Sequence, residues 1–123
     1  MSLPRHITDL LQRHRLPLSD EKRLQVAMLA VLEADGLTVR REVSLGDGDI
    51  VDFLVITEVM PLSGVAIEVK IKGSRRRIYR QIERYCGHAE VGEIVLATNV
   101  AMTLPATIGG KPAFVANLGR AWL

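Results

Sequence analysis

Between residues 65 and 98 the chain runs strand, helix, strand, and this order restricts the fold more than any other feature of the sequence. In 65–71 (VAIEVKI), Val65, Ile67, Val69 and Ile71 share one face, and Ala66, Glu68 and Lys70 the other. Gly73 and Ser74 open an amphipathic helix of about 74–88, on which Ile78, Ile82, Tyr85 and Cys86 fall within one arc. A buried strand follows at 93–98 (EIVLAT). Such a crossover lays the helix across one face of a sheet, so strand 93–98 is expected to run parallel to strand 65–71.

The upstream pattern extends this core. Residues 5–15 predict a short helix with Ile7, Leu10 and Leu11 on one side, ended by Pro17. Ser19 and Asp20 cap a second helix over 20–34, where Leu24, Met28, Val31 and Leu32 recur at helical spacing before Gly36 stops it. Strands at 37–45 and 50–57 flank the turn Gly46-Asp47-Gly48-Asp49. Pro61, Ser63 and Gly64 mark the turn into 65–71, so the three strands are expected to form an antiparallel meander. After a Gly-Gly break, one more strand is expected at 113–118. The fold class expected is α/β with a mixed sheet (α+β): helix, three antiparallel strands, helix, strand. At 123 residues, without repeats or an interdomain linker, the chain reads as one domain, 1–123. Its core is expected over about 19–98, with an N-terminal helical segment 3–18 and a C-terminal strand or hairpin 104–123.

Composition excludes several function classes. With 48% apolar and 24% charged residues, the chain is globular rather than disordered. No apolar run approaches the ~20 residues of a membrane span, and the N-terminus lacks signal-peptide order. A cytoplasmic protein without a membrane partner is expected. No GxxxxGK[ST] stretch occurs, so no nucleotide cofactor is expected. One cysteine and three histidines show no zinc spacing. Any metal would be held by carboxylates, which points to Mg²⁺ or Mn²⁺. His6, His14 and His88 are expected at the surface, and Cys86 in the core of its helix.

Charge is unevenly distributed. Lys70, Lys72, Arg75, Arg76, Arg77, Arg80 and Arg84, against Glu83 alone, give residues 70–84 a charge of +6, leaving −4 on the rest of a chain whose net charge is +2. A basic patch on an acidic body is the footprint of a phosphate-backbone binder, although a solvated helix face gives the same pattern. On helix 74–88, Arg77, Arg80, Gln81 and Arg84 fall within an arc of about 100°. At only 4% aromatic residues, no extended single-strand stacking platform is expected.

Acids occupy places that should be apolar. Glu68 and Lys70 lie about 7 Å apart on one strand face, within reach of a single phosphate. Asp52 shares its expected face with Ile50, Leu54 and Ile56, where a charge is costly unless paired or metal-bound. Glu21 falls inside the apolar arc of helix 20–34 and is expected to point at the sheet or at the core edge. Taken singly, Asp52 could be a turn residue, Glu68 and Lys70 an exposed polar face, and Glu21 a favourable first-turn acid. Asp49 is expected to act only in the turn.

The pattern of Asp52, fifteen residues, then Glu68-Val69-Lys70 on the next strand resembles the PD-(D/E)xK nuclease superfamily. Glu21 is similar to the first-helix acid of Holliday-junction resolvases. Gln81-Ile82-Glu83-Arg84-Tyr85 resembles the QxxxY motif of RecB-like nucleases, to which a helix of the virus-type replication-repair nucleases is related. Val51 stands where the superfamily name has proline.

The resemblance spans about 19–98 and implies a restriction-endonuclease-like core. It implies Asp52, Glu68 and Glu21 as ligands of Mg²⁺, with Mn²⁺ as a substitute, and the Val69 carbonyl as a further ligand. Lys70 would be the catalytic lysine and Gln81 an active-site partner. Lys72, Arg75, Arg76, Arg77, Arg80, Arg84 and Tyr85 would contact DNA, Tyr85 having a core aromatic as its alternative. The activity implied is a Mg²⁺-dependent, structure-specific DNA endonuclease. A junction resolvase would act as a homodimer, its candidate surfaces being 3–18 and the C-terminal strand with Trp122. The alternatives are a flap nuclease, exonuclease or restriction-like component of the same fold, or a non-catalytic nucleic-acid-binding or accessory module.

Overall fold

A computed structural model describes residues 2–57 and 63–123. Helix α1 (Leu3–Arg13) starts at Ser2, whose hydroxyl accepts from the Arg5 amide. It ends two residues earlier than expected because the chain turns extended at His14 and buries Leu16 in the core. Helix α2 (Glu21–Ala34) is capped by Asp20, which accepts from the Lys22 and Arg23 amides. Gly36, at φ +87°, takes the chain out of it.

Strands β1 (Val39–Gly46) and β2 (Asp49–Ile56) are joined by Asp47-Gly48, both at positive φ, the hairpin turn that matches strand twist. Asp49 is thus the first residue of β2 rather than a turn residue alone. Pro61, read as part of the next turn, lies outside the described residues. Strand β3 (Gly64–Lys70) leads through α3 (Arg75–Tyr85) to β4 (Val91–Thr98). A two-residue strand β5 (Thr107–Ile108) turns at Gly109-Gly110 into the antiparallel β6 (Lys111–Asn117), the hairpin alternative expected within 104–123, and Arg120–Trp122 close the chain in a 3-10 turn.

The strands of the described residues lie in the order β1-β2-β3-β4-β6-β5. Strands β1, β2 and β3 form the expected antiparallel meander. Strand β4 runs parallel to β3, as the crossover requires, and β6 parallel to β4. This is an α+β fold with a mixed sheet. Helices α1 and α2 cover one face, on Phe53, Val55, Val65, Ile67 and Val69. Helix α3 covers the other through Ile78, Ile82 and Tyr85, on Leu54, Ala66, Ile94 and Leu96. The core extends beyond 19–98, since Ile7, Leu10, Leu11, Ala116 and Leu118 are buried within it. The apolar face of α1 is therefore used within the chain. Among the described residues, no helix is long and apolar enough to cross a membrane.

One irregularity positions the site. Side chains of β1 and β2 should alternate between faces, yet Phe53 packs under α1 and α2 while Val51 packs under α3. Likewise Val39 lies on the first side and Val43 and Leu45 on the second. The change falls where Glu42 stands opposite Asp52, between the pairs Arg41↔Phe53 and Val43↔Val51. Glu42 adopts φ +51°, a left-handed conformation uncommon for a non-glycine residue. Asp52 and Ile50 line one groove beside α2, as their shared parity predicts, whereas Leu54 and Ile56 pack on the α3 side, so the apolar face expected to run from Ile50 to Ile56 is broken here and Ile50 is 54% exposed.

Candidate active site

The β2–β3 ladder pairs Ile56 with Gly64 and runs to Phe53 with Ile67, where it stops. Beyond that point Asp52 N–H and Val69 N–H have lost their ladder partners, and unpaired amides are costly inside a fold. The two carboxylates replace them crosswise. Asp52 Oδ2 accepts from the Val69 amide at 2.7 Å, and Glu68 Oε1 accepts from the Asp52 amide at 3.2 Å. Each carboxylate spends one oxygen on this latch, and each such charge-assisted bond is worth ~1.5–3 kcal/mol. Lys70 Nζ stands 3.5 Å from Glu68 Oε2. Lys70 lines a groove with Ile78 and Gln81 of α3 and stands beside Glu68, so the two share the α3-side face with Ala66, as strand parity predicts.

Glu68 is only 3% exposed. Burial, then the charge of Asp52, pushes its pKa up to about 8 against the opposing pull of Lys70. A buried carboxylate beside a second one, with one lysine between them and neutrality, is short of positive charge. The donor set fits Mg²⁺, a hard cation that takes one or two carboxylates and keeps several waters. The Val69 carbonyl also lies on the correct edge. Lys70 O accepts from Thr98 Oγ1 at 2.6 Å and from Asn99 N at 3.3 Å on the β4 side. Val69, one residue back, therefore turns its amide and carbonyl toward β2.

Glu21 does not join this pair. It is the exposed first residue of α2 and lines a groove of about 530 Å³ with Asp52, Arg41 and Glu42. Among the described residues, no three Asp, Glu, His or Cys side chains converge on one metal position. Of the two orientations expected of Glu21, at the sheet or at the core edge, the structure has the second. An acid at the first turn is already favoured by the helix dipole and by water.

Gln81 and Tyr85 form a chain behind the cradle. Gln81 Nε2 donates to Tyr85 Oη at 2.7 Å, and Tyr85 Oη donates to the Ile50 carbonyl at 2.8 Å. Burial, then the charge of Glu68, raises the Tyr85 pKa to about 12, keeping the phenol a donor. Tyr85 is 2% exposed, so the expected DNA contact is corrected: it is the core aromatic that anchors α3 to β2. Gln81 lines a groove of about 400 Å³ with Lys70, Lys72 and Arg77. Lys72, Arg75, Arg76, Arg77, Arg80 and Arg84 are all exposed, and Arg84 is partly engaged by Asp49 at 3.3 Å.

Asp49 and His88 take other roles than the sequence suggested, and Thr98 and Glu42 were not anticipated at all. Asp49 accepts from His88 at 2.9 Å as well as from Arg84, tying the hairpin to the end of α3. The hydrogen bond from His88, foremost, holds the Asp49 carboxyl below its usual range. His88 is thereby half-buried rather than a surface residue. His6, likewise half-buried, reaches Asp35 at 2.7 Å. Thr98 fixes the Lys70 backbone, and a lone threonine ending an apolar strand was the signal available. For Glu42 nothing in the sequence marked the left-handed turn. Cys86 is buried at the end of α3, as expected. No family model, curated protein or solved structure matches this chain.

Proposed function

We propose that the chain is a metal-dependent deoxyribonuclease of the PD-(D/E)xK type with a restriction-endonuclease-like core. The observation that carries this reading is the opened β2–β3 ladder. Asp52 and Glu68 are latched across it, 16 residues apart in sequence, and the Lys70 amine stands beside Glu68. A fold that needed only stability would pair these strands and fill the site with apolar side chains. Two adjacent acids also repel phosphate, so a purely nucleic-acid-binding module has no use for them.

Mg²⁺ or Mn²⁺, when bound to Asp52, Glu68 and the Val69 carbonyl, would supply Lewis acidity toward the phosphodiester and its attacking water. The chain's own residues do the rest. Lys70 holds the negative charge that builds on the scissile phosphate. Thr98 keeps the Lys70 backbone in register. Lys72 and Arg77 flank Lys70 in the same groove and would hold the adjoining phosphates, which positions the backbone without reading bases. Gln81 lines the groove while tied to Tyr85, so its amide is held in one orientation.

A structure-specific substrate, such as a junction, suits a chain that contacts backbone rather than bases. Paired cuts on it would require a homodimer. Trp122 remains 52% exposed, although Arg15 lies over its ring and its Nε1 donates to the Leu16 carbonyl, so the two surfaces considered form one contiguous patch.

The test is cleavage of a labelled four-way junction, flap, linear duplex and single strand in Mg²⁺, Mn²⁺ or EDTA. Asp52→Asn and Lys70→Ala variants run alongside. Metal-dependent cutting that both variants lose by at least ~100-fold supports the reading. Absence of cutting by the unmodified protein on every substrate, with DNA still bound, overturns it in favour of a binding module.

A further inference from the structure

Helix α3 divides its basic residues between two grooves. Arg77 and Gln81 face the groove of about 400 Å³ that contains Lys70. Arg75, Arg76, Arg80 and Tyr79 line a larger one of about 890 Å³, whose far wall includes Met102 and Asn117. At about 100° per residue, the steps from Arg76 to Arg77 and from Arg80 to Gln81 cross the ridge of the helix. Among the described residues, the larger groove contains one acid, Glu83. Among the described residues, none of the three arginines is paired with it or with any other carboxylate.

Both grooves open beyond the C-terminal ends of parallel strands. Lys70 ends β3, Asn117 ends β6, and Met102 follows β4. That edge is where open sheets with parallel strands receive ligands. The chemistry of the larger groove is also distinct. It joins three unpaired guanidinium groups to a half-buried tyrosine ring. Phosphate contacts beside an aromatic face are the combination that holds unpaired nucleotides.

We propose that this larger groove binds a single-stranded nucleic-acid segment leaving the duplex at a branch. The substrate then straddles α3, with its duplex beside Asp52, Glu68 and Lys70 and its unpaired strand along Arg76, Arg80 and Tyr79. The duplex half of this assignment rests on the nuclease reading. The groove half does not.

Fluorescence anisotropy in EDTA, where nothing is cut, separates the two. The probes are a blunt duplex and the same duplex with an oligothymidine flap. The unmodified chain is expected to bind the flapped probe tighter by on the order of tenfold. The Arg76→Ala, Arg80→Ala double variant should bring the two probes to parity. It should also lower the salt slope by about 2 on the flapped probe alone. Tyr79→Ala should shrink the preference and leave the slope unchanged. Lys72→Ala, Arg77→Ala should weaken both probes alike. Circular dichroism verifies that each variant is folded.

Equal binding of both probes by the unmodified chain overturns the proposal. So does an equal loss on both probes in the Arg76, Arg80 variant, which would make the groove a duplex contact. A flap preference that persists when no substrate is cleaved in Mg²⁺ leaves the groove standing and removes the nuclease reading. Cleavage without flap preference does the reverse.

Discussion

Replacing Glu68 by glutamine should stabilise the metal-free protein at alkaline pH. The side chain is 3% exposed, and its pKa rises from an ordinary 4.5 to about 8 on folding. Across that window the folded chain keeps a proton that the unfolded chain has released. Stability therefore falls as pH rises, by ~1.4 kcal/mol per pH unit, and levels off above the folded pKa. The whole window is worth about 5 kcal/mol at most. Glutamine keeps the Oε1 acceptor for the Asp52 amide and has no charge to bury.

The assay is urea unfolding in EDTA from pH 5 to pH 9. The unmodified chain should lose several kcal/mol over this range while the Glu68→Gln curve stays flat, so the two cross. At the alkaline end the variant should melt about 10–20 °C higher, given ~2 cal/mol/K per residue of unfolding entropy over 123 residues. Mg²⁺ should raise the unmodified curve at alkaline pH and leave the variant unmoved. A pH-independent unmodified chain, or a variant that falls in parallel with it, would refute the premise that burying the Glu68 charge is what costs the fold.

Three further perturbations test the surrounding structure. Tyr85→Phe strands the Ile50 carbonyl and the Gln81 amide, so urea unfolding should show a loss of ~1–3 kcal/mol; a loss under ~0.5 would mean the chain is not needed. Gly64→Ala places a methyl group against the Val55 carbonyl oxygen and the Leu54 side chain; a loss above ~3 kcal/mol or insoluble protein is expected, and a near-unchanged melting temperature would contradict the close approach. His88→Ala removes the foremost group holding Asp49 below its usual pKa. A lowered pKa contributes stability above the unfolded value that is lost as pH falls through the folded one, so the variant should show a shallower acid-side loss than the unmodified chain; superimposable acid limbs would show that the contact brings no stability.

Local periodicity accounts for most of what the sequence made legible. Helix faces such as Leu24, Met28, Leu32 and Ile78, Ile82, Tyr85 follow from the 3.6-residue repeat, and the caps at Asp20 and Ser74 from orphan amides at helix ends. The Glu68–Lys70 face followed from the two-residue repeat of a strand that stays regular. The same rule kept Ile50 with Asp52 but wrongly joined both to Leu54 and Ile56, because alternation holds only while a strand keeps its twist, and the hairpin reverses faces at Glu42 and Asp52. Helix α1 was set outside the core for a related reason: its amphipathic face was visible, but not the surface it would cover.

The sequence by itself determined the elements, the parallel crossover, the concentration of charge on α3 and the residue types of the cradle, all properties of short windows. Tertiary structure alone decided that the β2–β3 ladder opens after Phe53 and Ile67 and that the two carboxylates take over its amides. It also buried Tyr85, left Glu21 at the rim and split the arginines between two grooves. These outcomes depend on which groups, distant in sequence, compete for the same donors and the same buried space, and that competition exists only once the sheet has assembled.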